Sequence, residues 1–500
     1  MRRALSLSTL ILGWTASAVA QLISIRTVPI SQAHQFDLFP SLGMAMGGVS
    51  IALSDSLLDP FTNPAKATRL GGARFFGSPV VYSVSSGAGG GRTLPLGALA
   101  KAGTWFGGIS IAAQEVDLSR RPDFGPLPLA EPACPACDQE TLDFTADDRS
   151  HANAYAFAML GKTFPEAGLS VGASVFWAGL HAIDGVDLLY PGSARLRQRG
   201  HATDVRLGIT KEWAGARSLS VLVLHDQFAT THDVTYLDQF WDPGNQQFAF
   251  RPRLEPNQDQ TNTWGLHAEY QQPLPSAGWR VGWVATSNLM SHPKLPNYEI
   301  QNIPRDPGNS SAFNLGAGIS KTHEGSTFGV DVVYEPIWSH TWADAAAPVE
   351  TRLGRTIPTG GKTIENRFRF SNALLRMGFG QDLGFAGATR VVGLRLGLVV
   401  RSINYSLVQQ DNVQVSTRRL EEGWLEWAPT WGVSLRFPGW EVRYRGSVTH
   451  GTGRPGVASG AQFATAESTR STILVAPSGP LTLDPVRVMT HQLSVSLPLR

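Results

Sequence analysis

The feature that most constrains this chain is a period-two alternation of apolar and polar residues, which recurs from about residue 73 to the C-terminus. The clearest stretch lies between residues 392 and 401, where valine and leucine alternate with glycine and arginine. Alternation of this kind predicts β-strands with one apolar and one polar face. The 52 glycines and 32 prolines also argue against a mostly helical protein, because both residue types break helices.

The arrangement of the strands distinguishes between soluble and membrane architectures. A soluble β-sandwich or a small closed barrel would also give alternating strands. Three features favour a transmembrane barrel: the polar face is rich in Gly, Ser and Arg, short turns alternate with long loops, and tryptophans gather near strand ends. Those tryptophans are Trp105, Trp177, Trp264, Trp427 and Trp440. The sequence therefore predicts an all-β, antiparallel, up-and-down transmembrane barrel of 14–16 strands.

Sixteen segments fit the strand pattern, of which the first two are the weakest. They span 74–85, 93–101, 104–116, 152–164, 168–181, 198–213, 217–233, 263–273, 277–289, 311–322, 326–339, 365–380, 388–405, 421–437, 439–451 and 487–499. Long loops are expected near 117–150, 182–197, 234–262, 290–310, 340–364, 406–420 and 452–485. An even strand number places both ends of the barrel in the periplasm, and a barrel of this size needs a plug unless it is an open pore.

The N-terminus predicts export. Arg2 and Arg3 precede an apolar stretch, and Ala18-Val19-Ala20 completes the pattern of a secretory signal peptide. Beyond it, no stretch reaches the roughly 18 to 20 apolar residues that a transmembrane helix needs. We therefore divide the chain into a signal peptide (1–20), an N-terminal hatch inside the barrel (21–72) and a transmembrane β-barrel (73–500), located in the bacterial outer membrane.

Several classes of function find no support in the sequence. The net charge is +2 and no basic run occurs, so a nucleic-acid partner is not expected. The chain has no P-loop and no Gly-x-Ser-x-Gly element in the setting that a hydrolase needs. We predict no enzyme activity, no catalytic residues, no metal site and no cofactor. Cys134 and Cys137 form Cys-Pro-Ala-Cys in the longest loop, where an exported chain favours a small structural disulfide over a redox or metal site.

The segment from residue 21 to residue 72 departs from the strand pattern. It holds a run of small residues from Gly43 to Gly48, the stretch that ends at Asp55, and Asn63-Pro64-Ala65. Small residues allow close backbone packing, and Asn-Pro starts turns. The many apolar residues argue against a disordered leader, so we expect a compact segment folded into the barrel.

This segment resembles the N-terminal hatch of the FadL-like superfamily of outer-membrane long-chain fatty acid transporters. The resemblance covers about 25 residues, and the matching residues are Gly43, Met46, Gly47, Gly48, Ala52, Asp55, Asn63, Pro64 and Ala65. Beyond it, only the order of hatch and strands is similar. Lys66 departs from the family, which commonly has glycine after the triplet, and Arg500 replaces the terminal aromatic residue of many such barrels. The superfamily also contains type IX secretion shuttles.

The resemblance implies passive uptake of hydrophobic small molecules, fatty-acid-like or aromatic, through a plugged barrel. The alternatives are a protein-binding scaffold or secretion shuttle, and a general aqueous pore. Inward arginines could attract a ligand carboxylate or could pair with acidic residues of the wall, and the second interpretation is favoured for any single arginine. The arginines are Arg280, Arg395, Arg401 and Arg436, with Arg443 and Arg445 nearby.

One further candidate lies in the loop expected near 234–262. Phe240 and Trp241 could form an apolar capture patch there or could pack the loop against its neighbours. The expected partners are outer-membrane lipid, a hydrophobic small-molecule ligand, and the barrel-assembly machinery that inserts such proteins.

Overall fold

The protein folds as one closed, antiparallel β-barrel. The structure is a computed structural model that describes residues 35–117, 150–184, 195–293, 296–297, 303–304, 307–384, 391–455 and 483–499. The proposed signal peptide and the pair Cys134 and Cys137 lie outside these residues. Within them, no helix is long and apolar enough to cross a membrane.

The wall has sixteen strand positions. The first, β1, has two segments, Ala73–Gly77 and Val80–Val84. The others are β2 (Gly90–Ala102), β3 (Trp105–Asp117), β4 (Ser150–Phe164), β5 (Leu169–Leu180), β6 (Arg195–Trp213), β7 (Arg217–Asp242), β8 (Gln247–Pro273), β9 (Trp279–His292), β10 (Gly308–His323), β11 (Ser326–Asp344), β12 (Lys362–Gly384), β13 (Val391–Asp411), β14 (Ser416–Phe437), β15 (Trp440–Pro455) and β16 (Leu483–Leu499). Each lies at one of the predicted positions, which confirms the fold.

The barrel closes between its first and last strands. Both segments of β1 pair with β16 on one side and with β2 on the other, so the sheet has no free edge. Ser78 and Pro79 separate the two segments, because proline has no N–H to offer the ladder. The Ser78 hydroxyl bonds the Ser494 hydroxyl at 2.6 Å and holds the interruption against β16. Two small ladders, Pro296–Asn297 with Ile303–Pro304 and Val349–Glu350 with Thr356–Ile357, lie in loops.

The two faces of the wall are inverted relative to a soluble protein. On β3, the side chains of Ile109 and Ile111 are 65% and 64% exposed, whereas Ser110 and Gln114 on the other face are buried. Apolar side chains therefore cover the outside and polar side chains line the interior. This is the arrangement that a lipid environment requires, and it excludes the soluble alternatives.

Lipid contact predicts that charge on the outer face is costly at the depth of Ile109. Ile109→Arg should lower the free energy of unfolding in lipid vesicles by about 2–4 kcal/mol, as measured by urea titration. Val408→Arg is the matched control, because Val408 also points outward but lies eight residues above Val400, the register partner of Trp427. Val408 thus lies outside the membrane, where the same change should cost at most about 1 kcal/mol. Equal effects at both positions would argue against a lipid-facing wall.

The outward tryptophans mark the membrane surface, which coincides with a strand end at Trp105 and Trp440 but not at Trp264 and Trp427. Trp105 and Trp440 begin β3 and β15 at the end of the short turns, which is the periplasmic end of such barrels. Trp264 lies nine residues from the periplasmic end of β8, and strand tilted by about 40° rises roughly 23 Å over that length. This matches the apolar band of an outer-membrane barrel. The strands continue beyond it, so the expectation that Trp264 and Trp427 end strands was wrong.

The largest departure from the sequence prediction is the hairpin of β7 and β8. The long loop expected at 234–262 is strand, and the hairpin ladder continues to Asp242 and Gln247. The described part of β6 begins at Arg195, which pairs with Thr235, so beyond Thr235 the described ladder is that of β7 with β8. The alternation of apolar and polar residues is weaker in this part of the hairpin because both of its faces lie outside the membrane band. In water the outward side chains need not be apolar.

The described part of the N-terminal segment, residues 35–72, lies against the inward face of the wall. It contains a 3-10 turn (Met44–Met46), the short helix α1 (Asp59–Thr62) and a second 3-10 turn (Pro64–Arg69). Phe61 of α1 stacks on Phe39 with 3.9 Å between the ring centroids, and its ring lies 5.0 Å from that of Phe157 on β4. This aromatic cluster anchors the segment to β1, β4 and β5.

Candidate functional site: the hatch segment and the lumen above it

Asp55 organises the N-terminal segment, residues 35–72, from its centre; this is the segment in which the sequence predicts a hatch. One carboxylate oxygen, Oδ2, accepts hydrogen bonds from the backbone N–H of Leu42 at 2.6 Å and Gly43 at 3.0 Å, and from the hydroxyl of Ser41 at 2.7 Å. The other, Oδ1, accepts from the N–H groups of Leu57 and Leu58 at 3.0 and 3.2 Å. A single buried carboxylate thus joins two stretches of backbone, and the residue is one of those identified by the hatch resemblance.

The Asn63-Pro64-Ala65 triplet forms the tightest contact with the wall. The Asn63 side-chain oxygen accepts the N–H of Ala65 at 3.0 Å and caps the following 3-10 turn, in which Pro64 is the first residue. A Cβ placed on the wall residue Gly172 would lie 2.8 Å from the Pro64 carbonyl carbon, and one on Gly208 would overlap the Asn63 side chain. The triplet therefore needs glycine on β5 and β6 for its backbone to reach the sheet.

The glycine-rich run Gly43 to Gly48 contacts the opposite side of the wall. Gly47 adopts φ +71°, which favours glycine, and its N–H donates to the Thr430 hydroxyl of β14 at 2.9 Å. Gly48 likewise has φ +72°. Thr430 in turn donates to the carbonyl of Ala45 at 3.0 Å. The N–H of Gly48 bonds the carbonyl of Gly43 at 2.8 Å and closes the turn.

Inward glycines of the wall form a seat beneath the segment, which sequence reasoning did not assign. A Cβ at any of them would meet atoms of the segment at less than ordinary contact distance. They are Gly172, Gly208, Gly282, Gly318, Gly329, Gly378, Gly397 and Gly432. The signal was visible in the sequence as glycine at alternate positions of the polar strand face, but we interpreted it only as a small-residue lumen lining.

Polar wall side chains hold the segment's backbone around the same ring. Asp331 of β11 accepts the N–H groups of Ser50 and Ile51 at 2.8 and 3.2 Å. Gln271 of β8 donates to the carbonyl of Ile51 at 2.9 Å. On the other side, Arg206 of β6 donates to the carbonyl of Thr62 at 2.8 Å, and its guanidinium forms a bidentate pair with the carboxylate of Asp204. Backbone groups that the segment cannot pair internally are thus paired by the wall.

A buried charged cluster joins the segment to β8. The ammonium of Lys66 lies 2.7 Å from the Glu269 carboxylate and 3.8 Å from that of Asp59, and the side-chain exposures are 6%, 11% and 12%. Arg69 lies 3.9 Å from Asp59. Burial raises the pKa of Asp59 to about 6 despite the nearby Lys66. Burial opposes the charge on Lys66 as well, but the two carboxylates outweigh it and raise the pKa of Lys66.

The predicted lumen arginines lie beside wall groups. Arg395 pairs with Asp382 at 2.5 Å, and Arg401 lies 3.6 Å from Glu335. Arg436 lies 3.5 Å from Glu441, whereas Arg280 donates to the carbonyl of Ala216 at 3.1 Å. Three of the four arginines thus lie beside acidic wall residues and Arg280 lies beside a backbone carbonyl, and the choice between a wall ladder and a ligand site stays a prediction. Arg395 and Arg436 also border a cavity of about 30 Å³ between the segment and β14–β15, which has room for only about two waters.

An apolar cluster lines the lumen on the extracellular side of the hatch segment. Phe368 and Phe370 of β12 point inward and stack at 6.0 Å, and Tyr405 of β13 lies 5.5 Å from Phe370. Phe370 is eight residues above Gly378, which touches the hatch segment. We call this set the upper lumen cluster. Its members are Met290, Ala312, Ile337, Phe368, Phe370, Leu407, Tyr405 and Leu420.

Sequence reasoning missed the upper lumen cluster, although a signal for it exists. Arg367 and Arg369 alternate with Phe368 and Phe370, and the arginines point outward. Above the membrane band the outer face meets water, so the polar side chains lie outside and the aromatic ones inside. We assumed one orientation of the pattern along the whole strand, and therefore did not assign these phenylalanines to the lumen.

Phe240 and Trp241 lie near the tip of the β7–β8 hairpin, not in an irregular loop. Their side chains are 41% and 52% exposed. They are consecutive residues of one strand, so they lie on opposite faces of the hairpin. The guanidinium of Arg251 lies 5.7 Å from the centre of the Phe240 ring. The two residues therefore do not form one patch.

The outer wall carries one shallow apolar groove near the periplasmic end. It has a volume of about 640 Å³ and extends over small outward residues such as Ala98, Gly107, Ala158 and Ala173. The pairing of β2, β3, β4 and β5 is continuous across it. The groove is thus a thin part of the wall and not an opening.

Many solved structures align with most of this chain at low sequence identity. The chain is similar to the toluene transporter TbuX of Ralstonia pickettii, with 11% identity, coverage of 93% of this chain and 100% of that chain, and a TM-score of 0.39. It is similar to a FadL homologue of Pseudomonas aeruginosa with 11% identity, 93% and 99% coverage, and a TM-score of 0.43. It is also similar to the ferric-catecholate receptor Fiu of E. coli with 7% identity, 85% and 82% coverage, and a TM-score of 0.36.

The chain is an outer-membrane-type β-barrel. This follows from its closed sheet and its apolar outer face, and the solved structures, with TM-scores from 0.36 to 0.43, add no argument to it. No protein-family profile and no curated protein matches the sequence. Function must therefore be argued from the hatch segment and the lumen.

Proposed function

We propose that this barrel takes up hydrophobic small molecules across the outer membrane, and that residues 35–72 act as the hatch that closes it. The observation that carries the proposal is the upper lumen cluster. A pore for water-soluble solutes needs a polar lumen, whereas here a packed apolar cluster, in which Phe368 and Phe370 are 8% and 3% exposed, lies inside the barrel on the extracellular side of the hatch segment. Ligand sites are mostly apolar with a few polar groups.

The lumen has an apolar level with a charged level beneath it, and this order suits an apolar ligand bound above a closed hatch. Below the aromatic rings, Arg401 and Glu335 pair at 3.6 Å, and Asp331 is bonded to the hatch segment. A ligand held at Phe370 is thus separated from the hatch by a layer of charge, which disfavours its passage until the hatch moves. No energy source is required, because a concentration gradient drives such movement.

The test is uptake by the purified barrel in liposomes, with toluene and a long-chain fatty acid as probes. We expect Phe368→Ser combined with Phe370→Ser to reduce the uptake rate at least about 10-fold, because both rings leave the ligand path. Arg367→Ser with Arg369→Ser is the matched control on the outer face of the same strand, and its uptake should stay within about 2-fold of wild type. Folding of each variant is checked by heat-modifiable gel mobility.

The outcomes of this test are distinct. Equal uptake by the phenylalanine variant and the wild type would remove the upper lumen cluster from the transport path. No uptake of either probe by the wild type, together with large conductance in planar bilayers, would indicate an aqueous pore instead.

The β7–β8 hairpin favours a second candidate, a protein-binding scaffold. Trp241 near its tip is 52% exposed, and aromatic residues are common in protein interfaces. Stoichiometric recovery of one protein with the wild type, and its loss with Trp241→Ser, would support this function. Recovery that is unaffected by the substitution would remove the hairpin from consideration.

A further inference from the structure

We propose that Lys66 is the positioning residue of the hatch: its ammonium binds the wall carboxylate of Glu269 when the hatch is docked and transfers to the hatch carboxylate of Asp59 when the hatch moves away. The inference deepens the proposed function, because it names the contact that breaks when the lumen opens.

The geometry places both carboxylates within reach of one ammonium. Lys66 Nζ is 2.7 Å from Glu269 and 3.8 Å from Asp59. Asp59 and Lys66 belong to adjoining short helical turns, which the N–H of Asn63 joins by donating to the carbonyl of Asp59 at 2.9 Å. Their separation therefore persists when the hatch moves, whereas the distance to Glu269 on β8 does not.

Both carboxylates keep hydrogen-bond partners after the ammonium has moved. Glu269 keeps the amide of Gln271, which donates at 2.7 Å, and His267 at 3.8 Å. Asp59 keeps the N–H of Asp55 at 3.2 Å and gains the ammonium. A buried charge left without a partner is strongly destabilising, so an exchange of partners is the route by which a buried ion pair can separate.

Protonation of Asp59 removes the alternative partner. In the docked hatch, burial raises the pKa of Asp59 to about 6, whereas a solvated Asp has an ordinary value near 3.8. The docked state therefore binds this proton more tightly than the displaced state, and its added stability is lost as the pH rises through about 6. Low pH should hold Lys66 on Glu269. The other charged or titratable groups around the cluster are Asp55, Arg69, Glu212, His267 and Arg280.

Backbone hydrogen exchange of residues 42–66 in the full-length barrel tests the exchange of partners without any ligand. Glu269→Gln should speed exchange of these amides at least 10-fold at pH 7.5, because the docked partner loses its charge. Asp59→Asn should slow it at least 10-fold, because the displaced partner loses its charge. After correction for intrinsic exchange, wild-type rates should fall between pH 7.5 and pH 5, and those of Asp59→Asn should not.

The opposite signs of the two substitutions distinguish a switch from a merely structural ion pair. Glu212→Gln is the control: it removes an exposed partner of Arg69 at the same end of the hatch and should change exchange less than 2-fold. If Asp59→Asn speeds exchange as Glu269→Gln does, or if neither changes it, the inference is overturned. No ligand is added in the hydrogen-exchange experiment, so a failure of transport in liposomes would leave its result unaffected. A failure of the hydrogen-exchange test would likewise leave the transport result unaffected.

Discussion

Replacing Asp55 by alanine should release the hatch segment while leaving the barrel wall folded. The substitution removes the acceptor of five hydrogen bonds, four of which come from backbone N–H groups. Each bond to a charged acceptor is worth about 1.5–3 kcal/mol, but the released groups recover part of this in water. We expect a loss of about 4 kcal/mol in hatch docking, which is roughly a 1,000-fold increase in the displaced population.

The measurement is single-channel conductance together with trypsin cleavage of the N-terminal segment. Asp55→Ala should give frequent open events and rapid cleavage, and wild type should give few of either. Asp55→Asn should be intermediate, since it keeps one acceptor oxygen and turns the other into a donor that faces N–H groups. Ser56→Ala is the matched control, because Ser56 is exposed and adjacent. A closed, protected Asp55→Ala hatch would contradict the central role of this carboxylate.

The strands were predictable because lipid enforces a simple code. Outward residues such as Ile109 must be apolar wherever the wall crosses the membrane, so the period-two pattern identified all sixteen positions. The rule that outward residues are apolar no longer applies beyond the tryptophan belt. Beyond it, the hairpin around Phe240 and the strand around Phe370 follow other rules, and there the sequence prediction gave a loop or missed the lumen residues.

The partners inside the barrel were not predictable from the sequence. Asp55, Asn63 and Gly47 could be assigned by their resemblance to a hatch, since their local spacing carries the signal. The wall partners of this segment, such as Thr430 for Gly47 and Glu269 for Lys66, lie hundreds of residues away along the chain. Only the closure of the barrel and the register of its strands bring them to the hatch, and a single sequence records neither.

The second large effect concerns Gly378 and Gly397, which are register partners on β12 and β13. Both lack side chains where the Met44–Met46 turn lies directly on the sheet. A Cβ on Gly397 would overlap the backbone of Met46 and Gly47 and would lie 2.6 Å from the Thr430 hydroxyl. Backbone cannot rotate away as a flexible side chain can, so the hatch itself must shift. Overpacking of this kind costs about 1–3 kcal/mol, and here we expect the upper end.

Gly397→Val should therefore raise the displaced hatch population about 100-fold, which corresponds to about 3 kcal/mol. Conductance and trypsin cleavage should both increase, whereas the heat-modifiable mobility of the wall should not change. Gly384→Val is the matched control on β12, because a Cβ there meets open space. If the Gly397 variant stays closed while its wall loses stability, the glycine serves the strand and not the hatch. We expect the wild type and Gly384→Val to stay closed and Gly397→Val to open. This result would indicate that the hatch can lie on the wall only where the wall residues have no side chains. Glycine at alternate positions of a lumen face is therefore a functional signal in the sequence.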